Sequence, residues 1–184
     1  MKLYVPCKIV GSVALLLMLC QTGEAQVVNS SYTNESGEKV LRQELVVPVN
    51  LSKAWAYCTV DSLLQKWVAP KVHMELRAGG YRAANYNPAR TLDDSTAIIL
   101  PLVCFLEKEL IVLKIPLNNN FPASVRQEKR DLYFIFKFEA VDNHHTRVTG
   151  SMLGWGTGPD WEKTYGFFEK GNKWTFEQLE KVCK

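Results

Sequence analysis

The sequence predicts an α+β protein, in which a curved antiparallel sheet of about six strands wraps around one long C-terminal helix, with two short helices after the first strand. Hydrophobic residues recur with period two through most of the middle of the chain and with the helical period over residues 159–183. One face of an antiparallel sheet must be covered, and only the C-terminal segment is long and amphipathic enough to cover it.

The N-terminus has the layout of a secretory signal peptide that is cut after Ala25. Lys2 and Lys8 form a short basic region, an apolar run of 12 residues spans 9–20, and Gly23 and Ala25 put small residues before the cut. Because a membrane-spanning helix needs about 20 apolar residues, a permanent anchor is the weaker interpretation. We therefore expect export to the periplasm or the extracellular space, without stable insertion into the membrane.

Length and charge limit the rest of the chain to one domain. Removal of 25 of the 184 residues leaves 159, enough for one domain with a core and too few for two. Loss of Lys2, Lys8 and Glu24 lowers the net charge from +3 to +2, which is too small for a strongly basic face, so nucleic acid is not expected as a partner. The predicted division is a signal peptide over 1–25, a flexible polar leader over 26–38 and the folded domain over 39–184.

The folded domain opens with a strand and two short helices. Residues 39–49 alternate with period two, and Gln43 is the polar exception on the apolar face. The first short helix carries Cys58, and the second begins at Asp61 and is ended by Pro70.

The strands that form most of the sheet follow. Pro101 indicates an edge position or a bulge in its strand. Residues 116–131 form a polar loop of about 15 residues, a length that is uncommon unless the loop is functional or mobile. The predicted strands span 71–76, 81–86, 95–106, 109–115, 132–138 and 146–153.

The C-terminal helix is predicted over 159–183, with Pro159 in its first turn. Charged residues occupy the opposite side from its apolar face. Gly171 in mid-helix costs about 1 kcal/mol relative to alanine and therefore indicates a kink or a close contact. The apolar face carries Trp161, Tyr165, Phe168, Asn172, Thr175, Phe176, Leu179 and Cys183.

Short motifs along residues 40–183 resemble, in the order of that family, the START-like superfamily, also called the helix-grip fold or SRPBCC. The similarity is greatest to its branch of activator of heat-shock-chaperone ATPase-like proteins. The chain departs from this branch at Val68 and Asn172, where relatives often carry tryptophan, so we expect a reshaped pocket. The motifs are Trp67-Val68-Ala69-Pro70, Gly79-Gly80-Tyr81-Arg82, Asn120-Phe121-Pro122, Thr146-Arg147-Val148-Thr149, Gly154-Trp155-Gly156 with Trp161, and Tyr165 with Phe168 and Leu179.

The resemblance implies a cavity between the sheet and the long helix, in which members bind lipids, hormones or polyketides and a minority catalyse reactions. We expect a small apolar ligand there, with the loop 118–122 as a gate. The alternative for the helix aromatics is ordinary core packing. A buried Asn172 amide loses about 1–3 kcal/mol without a partner, which can be a ligand, a cavity water or a strand across the core. The predicted ligand-binding residues are Trp161, Tyr165, Phe168, Asn172, Phe121, Met74 and Phe136.

Catalytic and metal-binding signals are weak. No nucleophile elbow, HExxH, CxxC or phosphate loop occurs, so no catalytic residue, metal or cofactor is expected. Cys58, Cys104 and Cys183 either serve as small buried side chains or form one disulfide with one thiol left over. In the fold that the resemblance implies, the two short helices support the end of the long helix, so Cys58 on the first of them and Cys183 near the C-terminus could be joined.

The favoured function is therefore an exported protein that binds a small apolar or lipid-like molecule. One alternative is an enzyme of the cyclase or hydrolase type that uses the same cavity, which a buried polar cluster with a shifted pKa would favour. The other alternative is a protein-interaction module with a filled core, and the volume of the cavity separates it from the favoured function.

Overall fold

The computed structural model describes residues 26–184. The predicted signal peptide and its cleavage after Ala25 lie outside the described residues. From residue 26 onward, no helix is long and apolar enough to cross a membrane.

The structure is α+β, with one antiparallel sheet and a long C-terminal helix. The four helices described are α1 (Leu51–Thr59), α2 (Asp61–Leu64), α3 (Ala123–Gln127) and α4 (Pro159–Cys183). The nine strands described are β1 (Val28–Asn29), β2 (Tyr32–Thr33), β3 (Lys39–Val47), β4 (Lys71–Met74), β5 (Tyr81–Asn85), β6 (Ile98–Leu106), β7 (Leu110–Ile115), β8 (Leu132–Ala140) and β9 (Thr146–Leu153).

The order of the strands follows the chain closely. From β4 to β9 each strand pairs with the next, and β3 pairs with β9, which gives the order β1-β3-β9-β8-β7-β6-β5-β4. The short helices α1 and α2 therefore carry the chain from β3 to the far edge strand β4. A register shift between Leu102 and Cys104 follows Pro101, so a bulge, one of the two predicted possibilities, occurs at this point of β6.

Two differences from the predicted fold concern strand number and connections. Residues 26–38 were predicted as a flexible leader, but β1 and β2 pair with β3, and Val27 joins the hydrophobic core. Strands β1 and β2 form hydrogen bonds with backbone groups of β3 that would otherwise lie on an open edge of the sheet. The sheet thus has nine strands instead of about six, and the predicted loop 116–131 contains α3.

Helix α4 packs against the sheet through close contacts with β3, β8 and β9. Phe176 is 2% exposed, and its ring centroid lies 6.2 Å from that of Phe136 in an edge contact. A Cβ at Gly150 would lie 2.6 Å from the Phe176 ring, so β9 needs glycine there. Gln43, the polar exception in β3, donates from Nε2 to the Glu169 carbonyl oxygen at 2.8 Å and so ties the strand to the helix.

The ends of α4 suit a helix of this length. Pro159 occupies its first turn after Gly158, whose φ of 100° is a left-handed value that favours glycine. Asp160 and Glu162 lie in the first turn and Lys181 in the last, where their charges complement the helix dipole.

Candidate functional site

A cavity of about 440 Å³ lies between the inner face of the sheet and α4, as the resemblance implied. This volume falls within the roughly 300–1,000 Å³ of small-molecule pockets. Its walls are mostly aromatic and aliphatic. The strands contribute Leu100, Ile115, Phe134 and Phe136, and the helix contributes Phe168 and Phe176.

The mouth of the cavity is bordered by exposed aromatic side chains. Phe167 and Trp174 on α4 are 68% and 55% exposed, and Tyr86 after β5 is 59% exposed. Phe167, Gly171 and Trp174 are spaced four and three residues apart, so they lie along one side of the helix. A Cβ at Gly171 would meet no atom within 4 Å, so this glycine is neither a close contact nor an interruption of α4. It leaves a gap in the aromatic row beside the mouth.

The loop after β7 forms another wall. The ring of Phe121 stacks on that of Phe168 at 5.9 Å between centroids and 18° between planes. Arg126 of α3 holds the loop, since its Nε donates to the Phe121 carbonyl oxygen and its Nη1 to Asn119 Oδ1, both at 3.2 Å. These contacts place Phe121 over the cavity, whereas movement of the loop as a gate stays a prediction.

The structure brings together four of the seven predicted ligand-binding residues. Phe121, Phe136, Phe168 and Asn172 line the cavity. Trp161, Tyr165 and Met74 lie outside its lining.

Trp161 and Tyr165 pack around Trp155 instead. The Trp155 ring centroid lies 6.4 Å from that of Trp161, 4.9 Å from that of Tyr165 and 5.9 Å from that of Phe168. Trp161 Nε1 donates to Glu128 Oε1 at 2.7 Å, and a Cβ at Gly156 would lie 2.1 Å from that nitrogen. From Trp161 to Phe168 the helix rises about 10 Å, so its first turns cover the aromatic cluster and later turns cover the cavity.

Asn172 uses one of its polar atoms within the protein. Its Nδ2 donates to Met152 Sδ of β9 at 3.1 Å, and a thioether sulfur is a weak acceptor. Within residues 26–184 its Oδ1 makes no hydrogen bond. Of the partners expected for the Asn172 amide, the structure therefore shows the strand across the core. A role of Asn172 in ligand binding stays a prediction.

The sequence interpretation missed Arg82 as a functional residue, because it noted this side chain only within a family motif. Arg82 is directly opposite Met74 in β4 and Leu100 in β6, and Leu100 and Arg82 both line the cavity. Met74 is 7% exposed and packs in the core beside the cavity wall. The alternation of β5 was the available signal, but it identifies the inner face only once the register with β4 and β6 is known.

Arg82 is the one charged residue among the described lining of the cavity. Its Nε is buried without a hydrogen-bond partner, and the guanidinium carbon lies 5.9 Å from the centroid of the Phe136 ring. Burial lowers the pKa of the guanidinium, while Tyr86 and Cys58 raise it. An arginine stays protonated at neutral pH, so the cavity contains a positive charge.

Cys58 and Cys183 are both buried free thiols, whereas Cys104 is exposed. Helices α1 and α4 meet where these residues lie, since the Tyr57 hydroxyl donates to the Val182 carbonyl oxygen at 2.8 Å. Burial raises the pKa of Cys183 to about 12, and the pKa of Cys58 is raised by burial and by Cys183. A disulfide between them stays a prediction.

The histidines lie apart from the cavity. His73 Nδ1 lies 2.7 Å from Asp61 Oδ2, and His145 Nδ1 lies 2.9 Å from Asp142 Oδ2 in the turn before β9. In the described part of the chain, no three or more His, Cys, Asp and Glu side chains form a group that could hold a metal ion.

No protein-family model matches the chain, and no curated protein matches it. Solved structures do. The crystal structure of CalU16 from Micromonospora echinospora has a TM-score of 0.61 and 11% identity, over 87% of this chain and 86% of that one. The Aha1 dimer from Colwellia psychrerythraea has a TM-score of 0.58 and 14% identity, over 78% of this chain and 95% of that one. DynU16, from the dynemicin biosynthetic locus, has a TM-score of 0.57 and 10% identity, over 77% of this chain and 46% of that one.

At identities this low, the likeness shows the fold alone. These neighbours have folds of the helix-grip type, and the α+β architecture described above, with its large antiparallel sheet and long C-terminal helix, is consistent with that fold.

Proposed function

We propose that this protein binds a small, largely apolar or lipid-like molecule in the cavity between the sheet and α4. The observation that carries the proposal is the cavity itself, about 440 Å³ in volume, lined mainly by aromatic and aliphatic side chains and open beside Gly171. Protein interiors are normally packed with few voids larger than a water molecule. A space of this size is therefore more consistent with a bound molecule than with a filled core used only for protein interaction.

The composition of the walls favours binding over catalysis. Among the described lining residues none is Asp, Glu, His, Cys or Lys, the residue types that most often transfer protons or attack a substrate. Arg82 carries a charge but has no proton to give up at neutral pH. A cyclase- or hydrolase-type reaction is thus the second candidate, and it would depend on Arg82 and Asn172 polarising a substrate.

One structural neighbour supports a small-molecule ligand by analogy. DynU16, which shares this fold, comes from the dynemicin biosynthetic locus. Similarity to the Aha1 dimer supports the fold that the motifs suggest. Fold-level analogy of this kind raises the expectation of a ligand but does not identify it.

We further propose that the protein acts after export, with residues 1–25 removed. The basic residues, the apolar run and the small residues before the cut support this proposal. Export would separate the protein from cytosolic chaperones, so a co-chaperone role is not part of the proposed function.

The experiment that tests the proposed function is native mass spectrometry of the full-length gene product, purified mildly after expression with its own N-terminus. We expect a stoichiometric adduct, released on denaturation and identified as an apolar or lipid-like molecule. If the purified protein is empty, calorimetric titration with dodecanol probes the cavity directly. An empty protein that also fails to bind dodecanol would contradict the proposal.

A further inference from the structure

The position of Arg82 is unusual for a cation. It projects from β5 into a cavity walled mainly by apolar side chains, and its guanidinium lies over the face of Phe136. Over residues 26–184 its side chain makes no hydrogen bond and no ion pair. Buried charges in proteins are normally paired and hydrogen-bonded, because an ionised group loses much hydration on burial.

In the described part of the chain, the lining of the cavity supplies no negative charge to Arg82. No carboxylate is among the described lining residues of the cavity. The nearby Cys58 thiol is neutral, since burial raises its pKa more than the Arg82 guanidinium lowers it. The electron-rich face of Phe136 interacts favourably with the guanidinium. It does not accept hydrogen bonds from the N–H groups, which point outward in the plane of the guanidinium. The five N–H groups of the guanidinium are left without partners among residues 26–184.

The Arg82 side chain lines the cavity, and its guanidinium carbon lies over Phe136, which is another lining residue. Arg82 Nε is sealed from solvent, while the side chain as a whole remains partly accessible and lines the cavity. Its fork of N–H donors is therefore directed into the space that the proposed ligand would occupy.

We propose that the ligand is an amphiphile with one carboxylate, and that Arg82 binds this carboxylate inside the cavity while the apolar part lies against the aromatic walls and extends towards the mouth. The inference rests on the proposed binding function and adds the chemical class of the head group. Arginine matches a carboxylate with two parallel hydrogen bonds, a geometry that lysine cannot provide.

The charge balance favours a carboxylate over a phosphate ester. Arg82 contributes one positive charge to the described lining, and a carboxylate contributes one negative charge. A phosphate monoester carries about −1.5 to −2 at neutral pH, so it would leave excess negative charge in an apolar space. A cavity of about 440 Å³ lies within the range of small-molecule pockets, so dodecanoate is a suitable probe.

The test compares three head groups on one tail and three side chains at position 82. Dodecanoate, dodecanol and dodecyl phosphate are titrated calorimetrically, below their aggregation concentrations, into the wild type, Arg82→Lys and Arg82→Met. For Arg82→Met we expect dodecanoate affinity to fall about ten- to a hundredfold, the range for a lost charge-assisted hydrogen bond, and dodecanol affinity to be unchanged. Arg82→Lys should bind dodecanoate with intermediate affinity. Arg77→Met is the matched control, because Arg77 is exposed, pairs with Glu75 and lies outside the cavity.

Thermal unfolding of the ligand-free proteins gives a second readout. Arg82→Met removes an unpaired charge from the cavity, so we expect its melting temperature to be equal to or above that of the wild type, even though it binds dodecanoate less well. A structural role for Arg82 would lower the melting temperature and leave the discrimination between dodecanoate and dodecanol unchanged.

The outcomes separate the two proposals. If dodecanol and dodecanoate bind equally to the wild type and to Arg82→Met, the cavity binds apolar molecules and the head-group inference is wrong. Tighter binding of dodecyl phosphate than of dodecanoate would also overturn it, in favour of a phosphate head. If no probe binds the wild type, the proposed function itself fails.

Discussion

At the scale of single residues, the polar side chains of the cavity carry more functional information than the aromatic ones. Aromatic residues on α4 serve both core and cavity, so Trp161 packs on Trp155 while Phe168 reaches the cavity from the same helix face. A polar group in such surroundings needs a reason, because an unsatisfied buried group costs about 1–3 kcal/mol. Arg82 is the cavity residue whose unused hydrogen-bond donors we use to define the ligand, and the amide of Asn172 is tested separately.

Asn172→Leu tests the second of these residues. The substitution replaces an amide whose described partner is a weak thioether acceptor, and leucine is the better helix former, so we expect the free energy of unfolding to rise by about 1 kcal/mol. If the amide also binds the ligand, by donating from Nδ2 to the carboxylate in place of Met152 Sδ, dodecanoate affinity falls several-fold. Chemical denaturation and calorimetry measure the two effects.

Thr175→Val is the control for that measurement. Thr175 also lines the cavity, but its hydroxyl already donates to the Gly171 carbonyl oxygen at 2.8 Å, so its removal should leave dodecanoate affinity unchanged. Unchanged affinity in Asn172→Leu would assign that amide to core packing alone.

At the scale of elements, α4 acts as both the cover of the sheet and the border of the mouth. Its buried side carries Phe176 and Leu179, and its exposed flank carries Phe167 and Trp174 on either side of Gly171. Glycine lowers helix stability by about 1 kcal/mol relative to alanine, yet nothing in the described structure approaches its missing Cβ. The physical effect of Gly171 is therefore the open space that it leaves over the cavity.

Gly171→Leu tests this role of the helix. The new side chain would occupy the gap in the aromatic row, so we expect dodecanol affinity to fall about tenfold or more, while the gain in helix propensity leaves the protein at least as stable as the wild type. Calorimetric titration and thermal unfolding check the two parts of the prediction.

The matched variant for this test is Gly166→Leu. Gly166 lies in the same helix, its Cβ would likewise meet no atom within 4 Å, and it does not line the cavity. It should gain the same stability and keep the affinity of the wild type. If both variants bind dodecanol like the wild type, the mouth does not lie beside Gly171.

At the scale of the whole molecule, helix α1 near the start of the domain contacts the C-terminal end of helix α4. The Tyr57 hydroxyl bonds to the last turn of α4, and Cys58 and Cys183 are buried in the same core. A bond between these thiols would close a loop of about 125 residues, for which the chain-entropy estimate of stabilisation is about 4–5 kcal/mol. An exported protein meets the oxidising conditions under which such a bond persists.

Intact-mass analysis of the protein expressed with its own N-terminus tests the predicted disulfide and the predicted cleavage after Ala25. We expect a chain that begins at Gln26, with a mass lower by two hydrogens than that of the reduced form and one thiol open to alkylation without a reductant. Cys104→Ser should keep the mass difference and lose the reactive thiol, whereas Cys183→Ser should abolish the mass difference. Three alkylatable thiols in the denatured, unreduced wild type would contradict the disulfide.

The sequence by itself determined the order of most elements and the course of the C-terminal helix. Strand β9 and helix α4 span the predicted residues, because period-two and helical hydrophobic patterns are local properties of the chain. The pairing of β1 and β2 with β3 was not predictable in this way, since two-residue strands have no periodicity and form where a partner edge is available.

Which residues line the cavity was decided by the tertiary structure. Helix periodicity placed Trp161, Tyr165, Phe168 and Asn172 on one face, but the length of α4 and the position of Trp155 determine which of them reach the cavity. Arg82 shows the same dependence, since only the register of β5 between β4 and β6 turns its charge inward. Local pattern specifies which residues share a face, and long-range packing specifies what that face contacts.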